Sequence, residues 1–171
     1  MKVRLDFVTN SSSSSFILAY DSREDALAQL AKKAANFPEH IGIILRDVER
    51  APQLTEAELT ERLEEEADHH AYWIMHYGEG GWWSNRKPTW ENLWIKRNPD
   101  KDRWQMYEDP EYQAEKKRLK DQYLEAARKK LEGKSFVIEI EYSDNDGTLF
   151  SELEHDIMPQ MPGLVESFNH H

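Results

Sequence analysis

Apolar and polar positions alternate with a period of two in one stretch of this chain and recur every three to four residues in several others. Phe136, Ile138, Ile140 and Tyr142 are separated by Val137, Glu139 and Glu141, the pattern of a strand with one face on a core. Lys2–Val8 and Phe16–Tyr20 are two further β-patterned runs joined by Thr9–Ser15. Ala26, Leu27, Leu30, Ala31 and Ala34 follow Asp21 and Ser22 at helical spacing, which predicts a capped helix over about residues 22–36. It ends before Phe37-Pro38, because proline disfavours the helical region for its predecessor. Ile41-Gly42-Ile43-Ile44-Leu45 is short, apolar and β-branched, and reads as a buried strand.

Thr55 followed by Glu58 is a capping-box spacing, with Leu54 and Leu59 placed as a hydrophobic staple. The apolar line then runs through Leu63, Ala67, Ile74 and Tyr77 to a stop at Gly78, Gly80 and Gly81. A short helix is expected over Pro88–Ile95, and a long one from Asp109-Pro110-Glu111 to Gly133. After the 136–142 strand, Asp144-Asn145-Asp146-Gly147 turns the chain into a helix over Thr148–Ile157. Pro159 and Pro162 break it before a last apolar run, Leu164-Val165. The order β-β-α-β-α-α-β-α predicts an α+β or mixed α/β fold, a single layered domain over 1–171 with a mixed sheet of about four to five strands covered by helices.

With 171 residues the chain is long enough to bury a core without covalent staples. The absence of cysteine excludes disulfides, thiolate nucleophiles and cysteine-ligated metals. Asp6 interrupts the first apolar run and no membrane-length apolar segment follows, so a soluble, cytoplasmic protein is expected, monomeric or homodimeric. The net charge of -11 is unevenly spread: residues 51–85 carry one Arg against eight Asp/Glu, residues 86–134 carry fourteen Lys/Arg against ten acids, and residues 135–171 carry eight acids with no Lys or Arg. Mutual compensation of these segments is one account and a polyanion-binding surface the other. The overall negative charge argues against nucleic acid, whose association rests on phosphate neutralisation.

The tract Thr9, Asn10, Ser11, Ser12, Ser13, Ser14 and Ser15 is either a turn tied by local hydroxyl bonds or a concave run of N–H and O–H donors for an anion. Asp6–Phe16, read as DFVTNSSSSSF, resembles the opening of a set of bacterial proteins, many of them clostridial, that have no established activity. The resemblance covers about a tenth of the chain and implies no reaction.

Asp144 and Asp146 at a strand end, with Glu152 and His155 on the next helix, form a candidate site for a divalent metal, although turn and capping roles explain the same residues. An EF-hand is rejected, since Tyr142 and Leu153 fall where that loop needs carboxylates. Glu66 with His69 and Glu152 with His155 have the Glu-x-x-His spacing of di-iron bundles, a spacing that a glutamate-rich chain produces by chance. His70 falls on the apolar line of its helix, and His69 and His76 share a face with Trp73 between them. His170 and His171 at the terminus are further imidazoles, native or left from a tag.

Trp82, Trp83, Trp90, Trp94 and Trp104 interleave with Arg86, Arg97 and other basic residues, a composition suited to stacking and cation–π binding or to a small satellite core. The sequence thus points first to a binding or accessory protein that meets its partner at Trp82, Trp83, Arg86, Trp90, Trp94 and Arg97, or beside Asp144. A metal-dependent hydrolase with Asp144, Asp146 and His155 as ligands and Glu152 as base is the alternative. No cofactor is predicted beyond that divalent metal. A dimer that buries the tryptophans would leave both sites idle.

Overall fold

The computed structural model describes residues 13–78, 88–143 and 147–170; the expected strand Lys2–Val8 lies outside them. The chain divides into two compact units, Met1–Leu54 with Lys130–His171, and Thr55–Lys129.

The first unit is built on three antiparallel strands: β1 (Ser13–Tyr20), β2 (Phe136–Ser143) and β3 (Leu164–His170), in the order β2-β1-β3. Phe16, Leu18 and Tyr20 of β1 stand opposite Ile140, Ile138 and Phe136 of β2. This face is covered by helices α1 (Arg23–Ala34) and α2 (Ile41–Arg50), through Ala26, Leu30, Ala34, Ile44 and Val48. Each fully buried Leu or Ile here is worth about 1.5–3 kcal/mol relative to exposure. Ile17 and Ala19, on the other face of β1, are also buried, which is why that strand reads as a continuous apolar run rather than an alternation. Ser22 caps α1 by accepting from the Asp25 amide at 3.1 Å. Arg23 closes the end of α2, donating to the carbonyls of Glu49 and Ala51 while lying over the Phe136 ring.

Two expectations are corrected. Ile41–Leu45 is the start of helix α2, not a strand: Ile44 and Val48, four apart, are its two fully buried positions, so the pattern is helical once read past Leu45. Among the described residues the sheet has three antiparallel strands, not four to five in a mixed sheet, and those residues are 63% helical. β3 itself contradicts the predicted order, which ended in a helix. Its pairing with β1 shifts register between Ile17, opposite Glu166, and Leu18, opposite Leu164, so Val165 is a bulge that breaks the alternation.

After β2 the chain forms helix α6 (Thr148–Glu152), a single π-helical turn over Leu153–Ile157 and a 3-10 turn over Met158–Gln160. Numbered in chain order, the second unit comprises α3 (Glu56–Tyr77), α4 (Trp90–Arg97) and most of α5 (Pro110–Leu131), with a 3-10 turn at Arg103–Met106. Thr55 and Glu58 form the expected capping box, and Thr89 caps α4 through the Asn92 amide at 3.2 Å. Asp109 does two things at once: Oδ1 accepts from the Glu111 amide at 2.9 Å at the start of α5, and Oδ2 accepts from the Trp94 indole N–H at 2.7 Å. The core of this unit is Ala71, Met75, Trp94, Met106, Tyr112 and Leu119.

Candidate functional site

Within the second unit, His76 is buried near the C-terminal end of α3, with Nδ1 at 2.6 Å from Glu91 Oε2 and Nε2 at 3.4 Å from the Tyr112 hydroxyl. The other Glu91 oxygen is paired with the Arg103 guanidinium, which is exposed. A carboxylate held from both sides in this way fixes the tilt of the imidazole. The Tyr72 ring lies on His76 at 4.1 Å between centroids, and Tyr107 approaches at 5.9 Å. Burial, with Tyr107, Tyr72 and the Glu91 carboxylate nearby, pushes the Tyr112 phenol up to about 12. The Glu91–His76–Tyr112 chain thereby ties α3, α4 and α5 together. His76 and Tyr112 are both covered, so the side chains a partner can touch are those around them.

Those side chains are aromatic. Trp104 is 75% exposed and its ring meets Tyr107 at 5.9 Å; Trp73, 40% exposed, meets Tyr77 at 4.4 Å; Tyr72 is 38% exposed. Ring contacts run from Trp73 through Tyr77, His76 and Tyr107 to Trp104. Leu93 and Ile95 on α4 are exposed as well, so five of the six exposed large apolar side chains among the described residues belong to this unit. Opposite charges from the acidic and basic stretches pair beside it: Asp68 of α3 takes Lys116 at 2.8 Å and Lys120 at 2.6 Å from α5. Hydrogen bonds from Lys116 and Lys120 hold the Asp68 carboxyl below its ordinary range. An open polar pocket of about 330 Å³ is lined by these three residues with Glu64, Gln113, Lys117, Asp121 and Leu124.

The residues expected to form a binding surface have different fates. Trp94 is 1% exposed and belongs to the core, which corrects its assignment as a contact residue. Trp90 is half-buried, edge-on to Tyr112 at 5.3 Å, with Arg97 over its ring at 5.8 Å and itself paired with Glu111 at 3.0 Å. Trp82, Trp83 and Arg86 lie outside the described residues. His70 is exposed against the Tyr123 ring at 5.0 Å rather than in the core, and His69 is exposed while His76 is buried, so their shared spacing does not make a common site. Arg103 is one of the basic residues interleaved with the tryptophans, whereas Glu91, Tyr72 and Tyr112 were not singled out by sequence. A glutamate in the first turn of a helix carries no local sign that an imidazole fifteen positions earlier will bury it.

In the first unit, Ser13, Ser14 and Ser15 are part of β1 and not of a connecting turn, with Ser13 opposite Ser143 and His170. Ser14 Oγ donates to Glu154 Oε1 at 2.8 Å, both groups being buried. Thr9, Asn10, Ser11 and Ser12, and Asp144 and Asp146 of the candidate metal set, lie outside the described residues. Glu152 stands 2.9 Å from the buried His40 Nε2, whereas the carboxylate near His155 is Glu154, at 3.9 Å. The Glu-x-x-His pairing at Glu152 is therefore replaced by His40; at Glu66 the carboxylate lies 3.8 Å from His69. Among the described residues no three His, Asp or Glu side chains are grouped to hold a metal, and no helix is long and apolar enough to cross a membrane.

Compared with known proteins, the chain matches no family model, no curated protein and no solved structure.

Proposed function

We propose that this chain is a binding protein that receives another polypeptide on the aromatic surface of its 55–129 unit. The observation that carries this reading is Trp104: an indole 75% exposed, continuous through ring contacts with the partly exposed Tyr72 and Trp73. Exposed aromatics seated on a rigid base are the side chains that contribute most per contact at protein interfaces. The Glu91–His76–Tyr112 chain supplies that base by holding Tyr72 and Tyr107 in place. Arg103 adjoins Trp104 in sequence and presents donors beside the apolar area, so a partner carrying apolar side chains with a neighbouring carboxylate fits best. A cytoplasmic setting belongs to the same proposal and accords with a cysteine-free chain.

The test is affinity capture with the native chain, a Trp104→Ala variant and a Trp73→Ala variant, each checked for unchanged thermal unfolding. A polypeptide held by the native chain and lost from both variants supports the reading. Identical sets of bound polypeptides on all three chains would overturn it.

A further inference from the structure

Among the described residues β3 has β1 on one side and no strand on the other. Which of its backbone groups face outward follows from the bonding of β1. The Ala19 amide donates to the Gly163 carbonyl, and the Tyr20 carbonyl accepts from the Ser135 amide. Odd-numbered residues of β1 therefore bond toward β3 and even-numbered ones toward β2. Ile17 opposite Glu166 and Ser15 opposite Phe168 are then the bonded pairs. Ser167 and Asn169, opposite Phe16 and Ser14, turn their backbone N–H and C=O groups away from β1.

Two charged side chains occupy this outward row. Lys130, on the last turn of α5, donates from Nζ to the Val165 carbonyl at 2.6 Å. The Glu166 carboxylate turns back along its own strand and accepts from the Ser167 amide at 3.2 Å. An open strand edge is a template for another strand, and charges, lysine above all, and bulges are what blunt it. The bulge at Val165 adds the third of these.

We propose that the outer edge of β3 is a pairing surface for β3 of a second copy of this chain, and that Lys130 and Glu166 keep it closed. The outward row is self-complementary. An antiparallel pairing with its two-fold axis at Ser167 sets that residue opposite its own copy and Val165 opposite Asn169. Glu166 then stands opposite Phe168 rather than a second Glu166, so no like charges are directly opposed. This ladder needs the Ser167 amide and the Val165 carbonyl, the two groups that Glu166 and Lys130 hold. A strand cannot close to the ladder spacing of about 4.8 Å while an ammonium sits on the carbonyl it must use. The edge belongs to the first unit and owes nothing to the aromatic surface of the second.

The experiment is sedimentation velocity over a series of concentrations. It compares the native full chain, a Lys130→Met/Glu166→Val variant, and the same variant carrying Ser167→Pro, with far-ultraviolet circular dichroism confirming each fold. Proline at 167 removes an outward N–H and spares the bonds to β1, which an edge strand tolerates. The expected result is self-association strengthened about tenfold or more in the double variant and returned to the native level by Ser167→Pro. Lys130 is exposed on a helix end, so Lys130→Met alone carries the test if the double variant unfolds, with self-association above that of the native chain. Association no stronger than native in the folded variants, or a strengthened association that Ser167→Pro leaves unchanged, overturns the proposal.

Discussion

Replacing Gly163 by alanine should destabilise the three-stranded unit far more than the same change at Gly133. Both glycines have positive φ, +79° and +73°, a region that costs an L-residue about 1–2 kcal/mol. They differ in what a methyl group would meet. At Gly133 nothing lies within 4 Å of the new Cβ, whereas at Gly163 it would stand 2.6 Å from two atoms of the Tyr20 ring and 2.9 Å from the Ala19 carbonyl oxygen. The ring cannot swing aside cheaply, because it is fully buried and its hydroxyl donates to the Pro162 carbonyl at 2.5 Å. Overpacking of this kind costs about 1–3 kcal/mol beyond the backbone term. The two variants should therefore differ by about 1–3 kcal/mol, or roughly 1 M in the urea midpoint for a slope of about 1–3 kcal/mol per M. Urea unfolding by far-ultraviolet circular dichroism measures this. Exchange of the Ala19 amide, which donates to the Gly163 carbonyl at 2.8 Å, localises the loss to β1. Equal midpoints for the two variants would refute the overlap argument.

Trp94→Ala should cost about 3–5 kcal/mol, as expected for emptying a buried aromatic site, while Trp104→Ala should stay within about 0.5 kcal/mol of the native chain; chemical denaturation of both variants checks the contrast. Asp68, whose carboxyl is lowered by Lys116 and Lys120, contributes stability that is present above the unfolded value of about 4 and lost as pH falls through the lower folded value. Acid unfolding followed by tryptophan emission should therefore show a shallower pH dependence in Asp68→Asn. The Tyr112 phenol is raised to about 12, so its contribution is complete below the unfolded value of about 10 and is lost as pH rises through the folded one. In alkaline titrations, Tyr112→Phe should remove a late-ionising phenolate from the absorbance curve and flatten the fall in stability above about pH 10.

The parts of this architecture that were legible in the sequence are those decided within a few residues. Thr55 with Glu58, Asp109 before Pro110, and the alternation from Phe136 to Tyr142 each contain their own geometry, and each marks an element found in the structure. Ile41–Leu45 was misread because five residues cannot separate a strand from one turn of a buried helix, and Val48, which settles it, lies outside that window. β3 was hidden by the bulge at Val165. At the candidate sites the deciding contacts are long in sequence. Trp94 and Trp104 have the same chemistry and opposite exposure because Asp109 and the helix core claim one of them. The Ser14–Glu154 bond joins positions 140 residues apart, a juxtaposition that no local pattern encodes.

The central position of β1 bears on the order of events during synthesis. Its neighbours in the sheet, β2 and β3, begin at Phe136 and Leu164, so the strand made first waits for both of its partners while the whole 55–129 unit is synthesised. The second unit closes its contacts within a contiguous stretch and can form early; the sheet has high contact order and should complete late. Until then the apolar run Phe16–Tyr20 presents two unpaired edges to other nascent chains. Shortening the delay, by permuting the chain so that β2 and β3 precede β1 closely, should speed sheet formation and lessen aggregation on refolding.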